Sequence, residues 1–199
     1  LLRRFEMENC NPAKTPLPPG VKTDKATDAN RCNEEQHQLY REIVGCILYL
    51  CAMTRPDLAY ASSELSRYLS DPSTTHLILA KHVLRYLKGT SDLGLTFRSG
   101  DESILQVYSD ATWGNDPETR RSVSGFVCLL HGNAVSWKSK LEHTVALSSA
   151  EAEYMAIGRA TQEAMYLRSL LKAIGNEQIQ PTVIHEDNEG CIAMCKNPV

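Results

Sequence analysis

The sequence lacks the features that would place this 199-residue chain in several large classes of protein. No apolar run approaches the ~20 residues that a membrane-spanning helix needs, and no signal peptide is present. The seven cysteines include no CxxC pair and have no histidine partner at zinc-ligand spacing. They are therefore predicted to be reduced thiols in an intracellular protein that has no membrane partner.

Charge is unevenly distributed along the chain. Residues 1–100 carry 13 Lys and Arg against 11 Asp and Glu, whereas residues 101–199 carry 8 against 13. This asymmetry predicts two regions with different roles. An acidic region can still act on nucleic acid when divalent cations lie between its carboxylates and the phosphates.

The first half of the chain is predicted to be a proline-rich segment followed by helices. Proline fixes φ and removes a hydrogen-bond donor, so the prolines within residues 1–33 favour an extended linker. From Glu34 onward, apolar residues recur every three or four positions, as on the buried face of a helix. Pro56 is predicted to separate two helices, and Asp71 to cap the next one. Residues 34–100 are thus expected to form a helical connection.

Strand patterns replace helical ones in the second half. The segments ILQVYSDATW, SVSGFVCLLHGN and AVSWKSK are β-rich, and Gly132-Asn133 is a hairpin signal. A long helix is predicted from about Ser149 to Ile174, followed by a strand in TVIHEDN and a final helix in GCIAMCKN. The order β-β-β-α-β-α predicts an α/β domain over residues 104–199, with a mixed sheet and flanking helices.

Acidic residues occur at three places that this fold could bring together. Asp110 lies late in the first strand, and Asp187 lies at the end of the last strand, where ligands of such sheets tend to bind. The long helix offers two further candidates, Glu151 and Glu153. Glu151 fits the third helical position of a capping box that begins at Ser148, so it has a sufficient local role.

Glu153 has no such local role and lies on the helix face expected to meet the sheet. A carboxylate on an inward face is costly unless it is paired or bound to a metal ion. Three converging carboxylates, from Asp110, Glu153 and Asp187, would bind Mg²⁺ or Mn²⁺, which prefer oxygen ligands. Two such ions support phosphodiester hydrolysis. The alternative is that these acids are ordinary surface charges.

Several long motifs in a fixed order resemble the ribonuclease H region of copia-type retrotransposon polyproteins. They are YSDATWGND, RRSVSGFV, AVSWKSK, TVALSSAEAEYMA and EDNEGCIAMCKNPV. The opening LLRRFEMENCNPAKTPLP resembles the end of that family's reverse transcriptase. YREIVGCILYLCAMTRPDLAYASSELSRY and HLILAKHVLRYLKGTSDLGLTF resemble the region that connects polymerase and nuclease. The resemblance covers almost the whole chain.

The resemblance implies a ribonuclease-H-like fold and an endonuclease that cuts the RNA strand of an RNA–DNA hybrid with two Mg²⁺ or Mn²⁺ ions. It implies catalytic, metal-binding roles for Asp110, Glu153 and Asp187. The remainder of the reverse transcriptase polyprotein is the other expected partner, in a cytoplasmic particle or the nucleus. The YxDD motif of the polymerase is absent from the sequence. The chain stops at Val199, before the family's last catalytic Asp, so the domain is expected to be incomplete and inactive alone.

Two questions stay open at the level of sequence. Arg120, Arg121, Lys138 and Lys140 lie on or near the predicted hairpins, where they would either contact phosphates or simply be exposed hairpin charges. The chain as a whole would either be the nuclease part of the polyprotein or an inactive transposon remnant that binds nucleic acid weakly.

Overall fold

The computed structural model describes residues 1–21, 23–99 and 104–197, and the chain forms two compact units, Leu1–Gly94 and Leu95–Val199. The first unit is helical. Its elements are α1 (Glu34–Met53), α2 (Ala59–Ser66) and α3 (Thr74–Gly89), with 3₁₀ turns at Leu2–Phe5 and Pro56–Leu58. Among the described residues, no helix combines the length and the apolar composition needed to cross a bilayer.

Local sequence signals set where α1 begins. Asn33 caps it by accepting a hydrogen bond from the backbone N–H of Gln36, whose side chain accepts one from Asn33 in return. One face of α1 then enters the core through Tyr40, Ile43, Val44 and Ile47. The first unit therefore has its own apolar core, which also includes side chains of α2 and α3.

The predicted cap of α3 is wrong by two residues. The N-cap is Ser73, which accepts from the backbone N–H of His76. Asp71 instead forms an ion pair with Arg31, with 2.8 Å between Asp71 Oδ1 and Arg31 Nε. Both side chains can cap a helix, and here Ser73 does so while Asp71 is engaged by the distant arginine.

The second unit contains a four-stranded sheet in the order β3-β2-β1-β4. Its elements are β1 (Leu105–Thr112), β2 (Val123–Leu130), β3 (Asn133–Leu141), α4 (Ser149–Ala173), β4 (Val183–His185) and α5 (Glu189–Lys196). The first three strands are antiparallel, and β4 runs parallel to β1 after the crossover through α4. The predicted α/β class is confirmed: a helical segment precedes a mixed, ribonuclease-H-like sheet with flanking helices.

Small residues let α4 lie close to the sheet. Four buried alanines recur every fourth position, at 152, 156, 160 and 164, and continue into Leu167 and Leu171. The part of this stripe from residue 160 onward packs on Leu105, Val107 and Cys128 of the central strands. Because side chains one turn apart share a helix face, the stripe fixes which side of α4 meets the sheet.

A buried ion pair also fixes α4 against the sheet. Both carboxylate oxygens of Glu142 accept from Arg159, at 2.5 and 2.6 Å, and Ser124 Oγ donates to the same carboxylate at 2.6 Å. Glu142 is only 3% exposed. Burial acts to raise the pKa of Glu142, but the hydrogen bonds from Arg159 and Ser124 outweigh it and hold the pKa below its usual value.

Replacing Arg159 with methionine is expected to destabilise the chain by about 3–5 kcal/mol, because Glu142 would stay buried without its partner. Urea unfolding measures the loss, and Glu142→Gln in the same background should restore part of it. The stabilisation is present above the unfolded carboxyl pKa of about 4.3 and should fade as the pH falls below it. Lys172→Met, at the exposed pair with Glu177, is the control and should cost less than about 1 kcal/mol. Equal losses at the two pairs would contradict the prediction.

Candidate metal centre

Three carboxylates converge at one edge of the sheet. Asp110 lies near the end of β1, Glu153 in the second turn of α4 and Asp187 two residues after β4. Each offers an oxygen, and these oxygens all lie within 4.8 Å of one another. The convergence follows from topology. Tyr108 and His185 are register partners on the parallel strands β1 and β4, and each aspartate comes two residues after one of them.

The two aromatic partners also contact each other. The rings of Tyr108 and His185 are stacked, with 4.3 Å between their centroids and 14° between their planes. Stacked side chains on neighbouring strands stabilise that pairing. The contact therefore helps to keep the ends of β1 and β4 in register, and with them the spacing of Asp110 and Asp187.

Glu153 is the buried member of the cluster. It is 6% exposed, whereas Asp110 and Asp187 are exposed. Burial and the charges of Glu186, Asp110 and Asp187 raise the pKa of Glu153 to about 7. Its Oε2 atom is enclosed and has no hydrogen-bond partner among the described residues. Such a carboxylate is costly to ionise unless a cation accompanies it.

Glu186 is a member of this neighbourhood that the sequence analysis did not single out. Its pKa is raised by burial and by the charges of Asp187 and Asp110, against hydrogen bonds from the backbone at Asn188 and Asp187. The signal in the sequence was the adjacent pair Glu186-Asp187 at a strand end. If both residues lay on a strand, the side chains of Glu186 and Asp187 would point to opposite faces of the sheet. They do not lie on a strand, because β4 ends at His185.

Glu151 has a capping role, although its partner differs from the expected one. Ser148 caps α4 by accepting from the backbone N–H of Glu151 at 3.1 Å. The Glu151 carboxylate accepts from the backbone N–H of Leu147 at 2.6 Å, one residue before the N-cap. Glu151 is therefore tied to the start of the helix, and the metal-ligand cluster contains Glu153 rather than Glu151.

The four predicted phosphate-binding cations lie outside the acidic cluster. Arg120 and Arg121 are in the connection between β1 and β2, and Lys138 and Lys140 are on β3, which β2 separates from β1. Arg120 is exposed and has a left-handed backbone, with φ of 56°. Its guanidinium packs against Gly114. A β-carbon at position 114 would lie 3.3 Å from a guanidinium nitrogen, so a larger residue there would crowd the arginine.

The donor set of the cluster fits a hard divalent cation. All the donors are carboxylate oxygens, the ligands of Mg²⁺ and Mn²⁺, and no cysteine or histidine joins the group found among the described residues. The enclosed, unpartnered oxygen of Glu153 is the second indication, because a cation would supply its missing partner. The fold and the cluster together define a mixed α/β domain with a carboxylate centre able to bind a metal ion.

Comparison with known proteins connects this domain to mobile elements. The chain is 37% identical over all of its 199 residues to the retrovirus-related Pol polyprotein from transposon RE1 of Arabidopsis thaliana, and covers 13% of that protein. It is 36% identical to the corresponding polyprotein from transposon TNT 1-94 of Nicotiana tabacum, over 99% of the chain and 15% of that protein. It is also 52% identical over 128 residues to secreted RxLR effector protein 161 of Plasmopara viticola, matching 64% of the chain and 90% of the effector.

No family model matches the chain. No solved structure matches it either. The full-length matches nevertheless agree with one another, and the chain belongs to the family of retrovirus-related Pol polyproteins of copia-type transposons. It spans less than one sixth of the length of these polyproteins, at 13% to 15%.

Proposed function

We propose that the second unit is the ribonuclease H part of this Pol polyprotein and hydrolyses the RNA strand of RNA–DNA hybrids. The observation that carries the proposal is the convergence of Asp110, Glu153 and Asp187, with a buried and unpartnered oxygen on Glu153. The proposal includes an intracellular location and contact with the rest of the polyprotein. It excludes polymerase activity from this chain, because the YxDD motif is absent from the sequence.

Asp110, Glu153 and Asp187 would hold two Mg²⁺ or Mn²⁺ ions. Bound there, the ions would supply an activated water and stabilise the oxygen that leaves the cleaved phosphodiester. The chain itself supplies position. One ligand lies on β1, one two residues after the neighbouring β4, and one on a helix that is locked to the sheet, so their spacing is set by rigid elements. Without bound cations, the same carboxylates would repel the phosphates of a substrate.

Cleavage of a labelled RNA–DNA hybrid tests the proposal. The 199-residue chain, and a longer Pol polypeptide that contains it, are incubated with the hybrid in Mg²⁺ or Mn²⁺. From the longer polypeptide we expect cuts in the RNA strand of the hybrid, none in duplex DNA, and none when Asp187 is replaced by asparagine. Cleavage that survives Asp187→Asn would refute the proposal. The alternative of an inactive remnant predicts no cleavage and no metal affinity in either polypeptide.

The β1–β2 connection is suited to hold a phosphate near this centre. The backbone N–H of Arg120 donates to the carbonyl of Asp116, and the Asp116 carboxylate accepts from Thr119 at 2.6 and 2.8 Å. Gly114, which the Arg120 guanidinium covers, is four residues from Asp110 and thus within about 14 Å of it. A rigid, exposed cation at this distance would contact a phosphate a few nucleotides from the cut.

Arg120→Gln is therefore expected to weaken hybrid binding. The plot of the logarithm of the binding constant against the logarithm of the salt concentration should become shallower by roughly 0.7–0.9, the change expected for the loss of one phosphate contact. Fluorescence anisotropy at several salt concentrations measures both quantities. Lys172→Gln removes an equal charge near the other end of α4, about 28 Å from Glu153 along the helix, and should leave the slope unchanged. Identical salt-dependence slopes for the two variants would show that Arg120 does not contact a phosphate of the hybrid.

A further inference from the structure

Glu186 lies beside the cluster formed by Asp110, Glu153 and Asp187. Its Oε1 accepts a hydrogen bond from the backbone N–H of Asn188 at 3.1 Å. Its Oε2 is enclosed and has no hydrogen-bond partner among the described residues. Of the three carboxylates that raise the pKa of Glu153 through their charge, Glu186 has the largest effect.

Enclosed carboxylate oxygens without partners thus occur on both Glu153 and Glu186, whose charges interact, although Glu186 lies outside the group of oxygens that are within 4.8 Å of one another. In the part of the chain that the structure describes, neither glutamate is paired with a lysine, arginine or histidine. A buried charge without a counter-charge is costly, and two like charges side by side cost more. A cation between them and the two aspartates would remove both penalties.

The turn after β4 holds Glu186 in place. Asn188 donates its backbone N–H to Glu186, and its side chain accepts from the backbone N–H of Cys191 at 2.9 Å, which caps α5. Gly190 lets this turn approach α4 closely, because a β-carbon there would lie 3.4 Å from that of Ala150. The same short segment thus positions both Glu186 and Asp187 beside the first turns of α4.

We propose that Glu186 is a fourth acidic group of the metal centre and supplies its free oxygen to the cations held by Asp110, Glu153 and Asp187. This inference rests on the proposed function, since it assumes that the cluster binds metal. It adds Glu186 to the three metal-binding carboxylates that could be predicted from the sequence.

Replacing Glu186 with glutamine tests the inference by two measurements that do not depend on catalysis. The affinity for Mn²⁺, followed by the electron paramagnetic resonance signal of the free ion, should fall by about 10- to 100-fold. In metal-free buffer the melting temperature should stay equal or rise, because an uncompensated buried charge is removed. A purely structural side chain would give the opposite pair of results: a lower melting temperature and an unchanged Mn²⁺ affinity.

Two further variants make the result specific. Glu186→Asp keeps the charge but withdraws the oxygens by about one carbon–carbon bond, and should weaken Mn²⁺ binding without the gain in metal-free stability. Glu189→Gln removes an exposed acid three residues away and should leave Mn²⁺ affinity unchanged. Unchanged affinity in Glu186→Gln, with affinity lost in Asp187→Asn, would overturn the role of Glu186 alone. Unchanged affinity in both would overturn the metal centre as well.

Discussion

In a longer Pol polypeptide that contains this chain, replacing Glu153 with glutamine should reduce cleavage of an RNA–DNA hybrid by at least about 100-fold, whereas the same replacement at Glu151 should change it little. Glu153 contributes an oxygen to the acidic cluster and has an enclosed, unpartnered Oε2. Displacing a reacting group by ~1 Å already costs on the order of 100-fold in rate. Glu151 accepts a hydrogen bond from the backbone of Leu147, and the amide oxygen of glutamine can accept the same bond.

The two variants form a matched pair, because each removes one charge from the first turns of α4 and keeps the shape of the side chain. Circular dichroism and thermal melting must show that both fold. In metal-free buffer Glu153→Gln should melt no lower than the native chain, because it removes a buried charge that lacks a partner. Loss of activity in Glu151→Gln with activity retained in Glu153→Gln would reverse the assignment of the two glutamates.

The strands of the second unit could be predicted because their signals are local. Alternating apolar residues and a glycine between two β-rich segments specify a hairpin without reference to the rest of the chain. In the structure the turn is formed by His131 and Gly132, one residue earlier than the predicted Gly132-Asn133, and both residues have positive φ, as a tight two-residue hairpin requires. The convergence of Asp110, Glu153 and Asp187 follows from strand order and a helix crossover, so it too could be anticipated.

Features that depend on distant partners could not be anticipated. Asp71 and Ser73 are both good caps, and the choice between them depends on Arg31, 40 residues before Asp71. The pairing of Glu142 with Arg159 needs the register of α4 on the sheet, which no local pattern contains. Glu186 escaped notice for a related reason. The segment TVIHEDN suggests a strand throughout, but the observed strand ends at His185 and a turn redirects the residues that follow.

Millimolar Mn²⁺ or Mg²⁺ should raise the melting temperature of the chain. Without a cation, folding brings the carboxylates of Asp110, Glu153 and Asp187 within 4.8 Å of one another, and their mutual repulsion opposes folding. A ligand that binds only the folded state stabilises it by about 2.7 kcal/mol when present at 100 times its dissociation constant. For a unit of about 100 residues such as Leu95–Val199, each kcal/mol corresponds to roughly 4–8 °C.

The double variant Asp110→Asn/Asp187→Asn should lose this stabilisation and melt higher than the native chain in metal-free buffer, because it removes the repulsion together with the ligands. Glu177→Gln/Glu189→Gln removes the same number of charges from exposed positions and should keep the full response to Mn²⁺. Differential scanning fluorimetry with and without the ion compares the three proteins. No shift in the native chain, or an equal shift in the aspartate variant, would mean that the cation binds elsewhere or not at all. A rise in melting temperature that occurs only in proteins with both aspartates would show that Mn²⁺ stabilises the fold through the same carboxylates that are proposed to hold the catalytic ions.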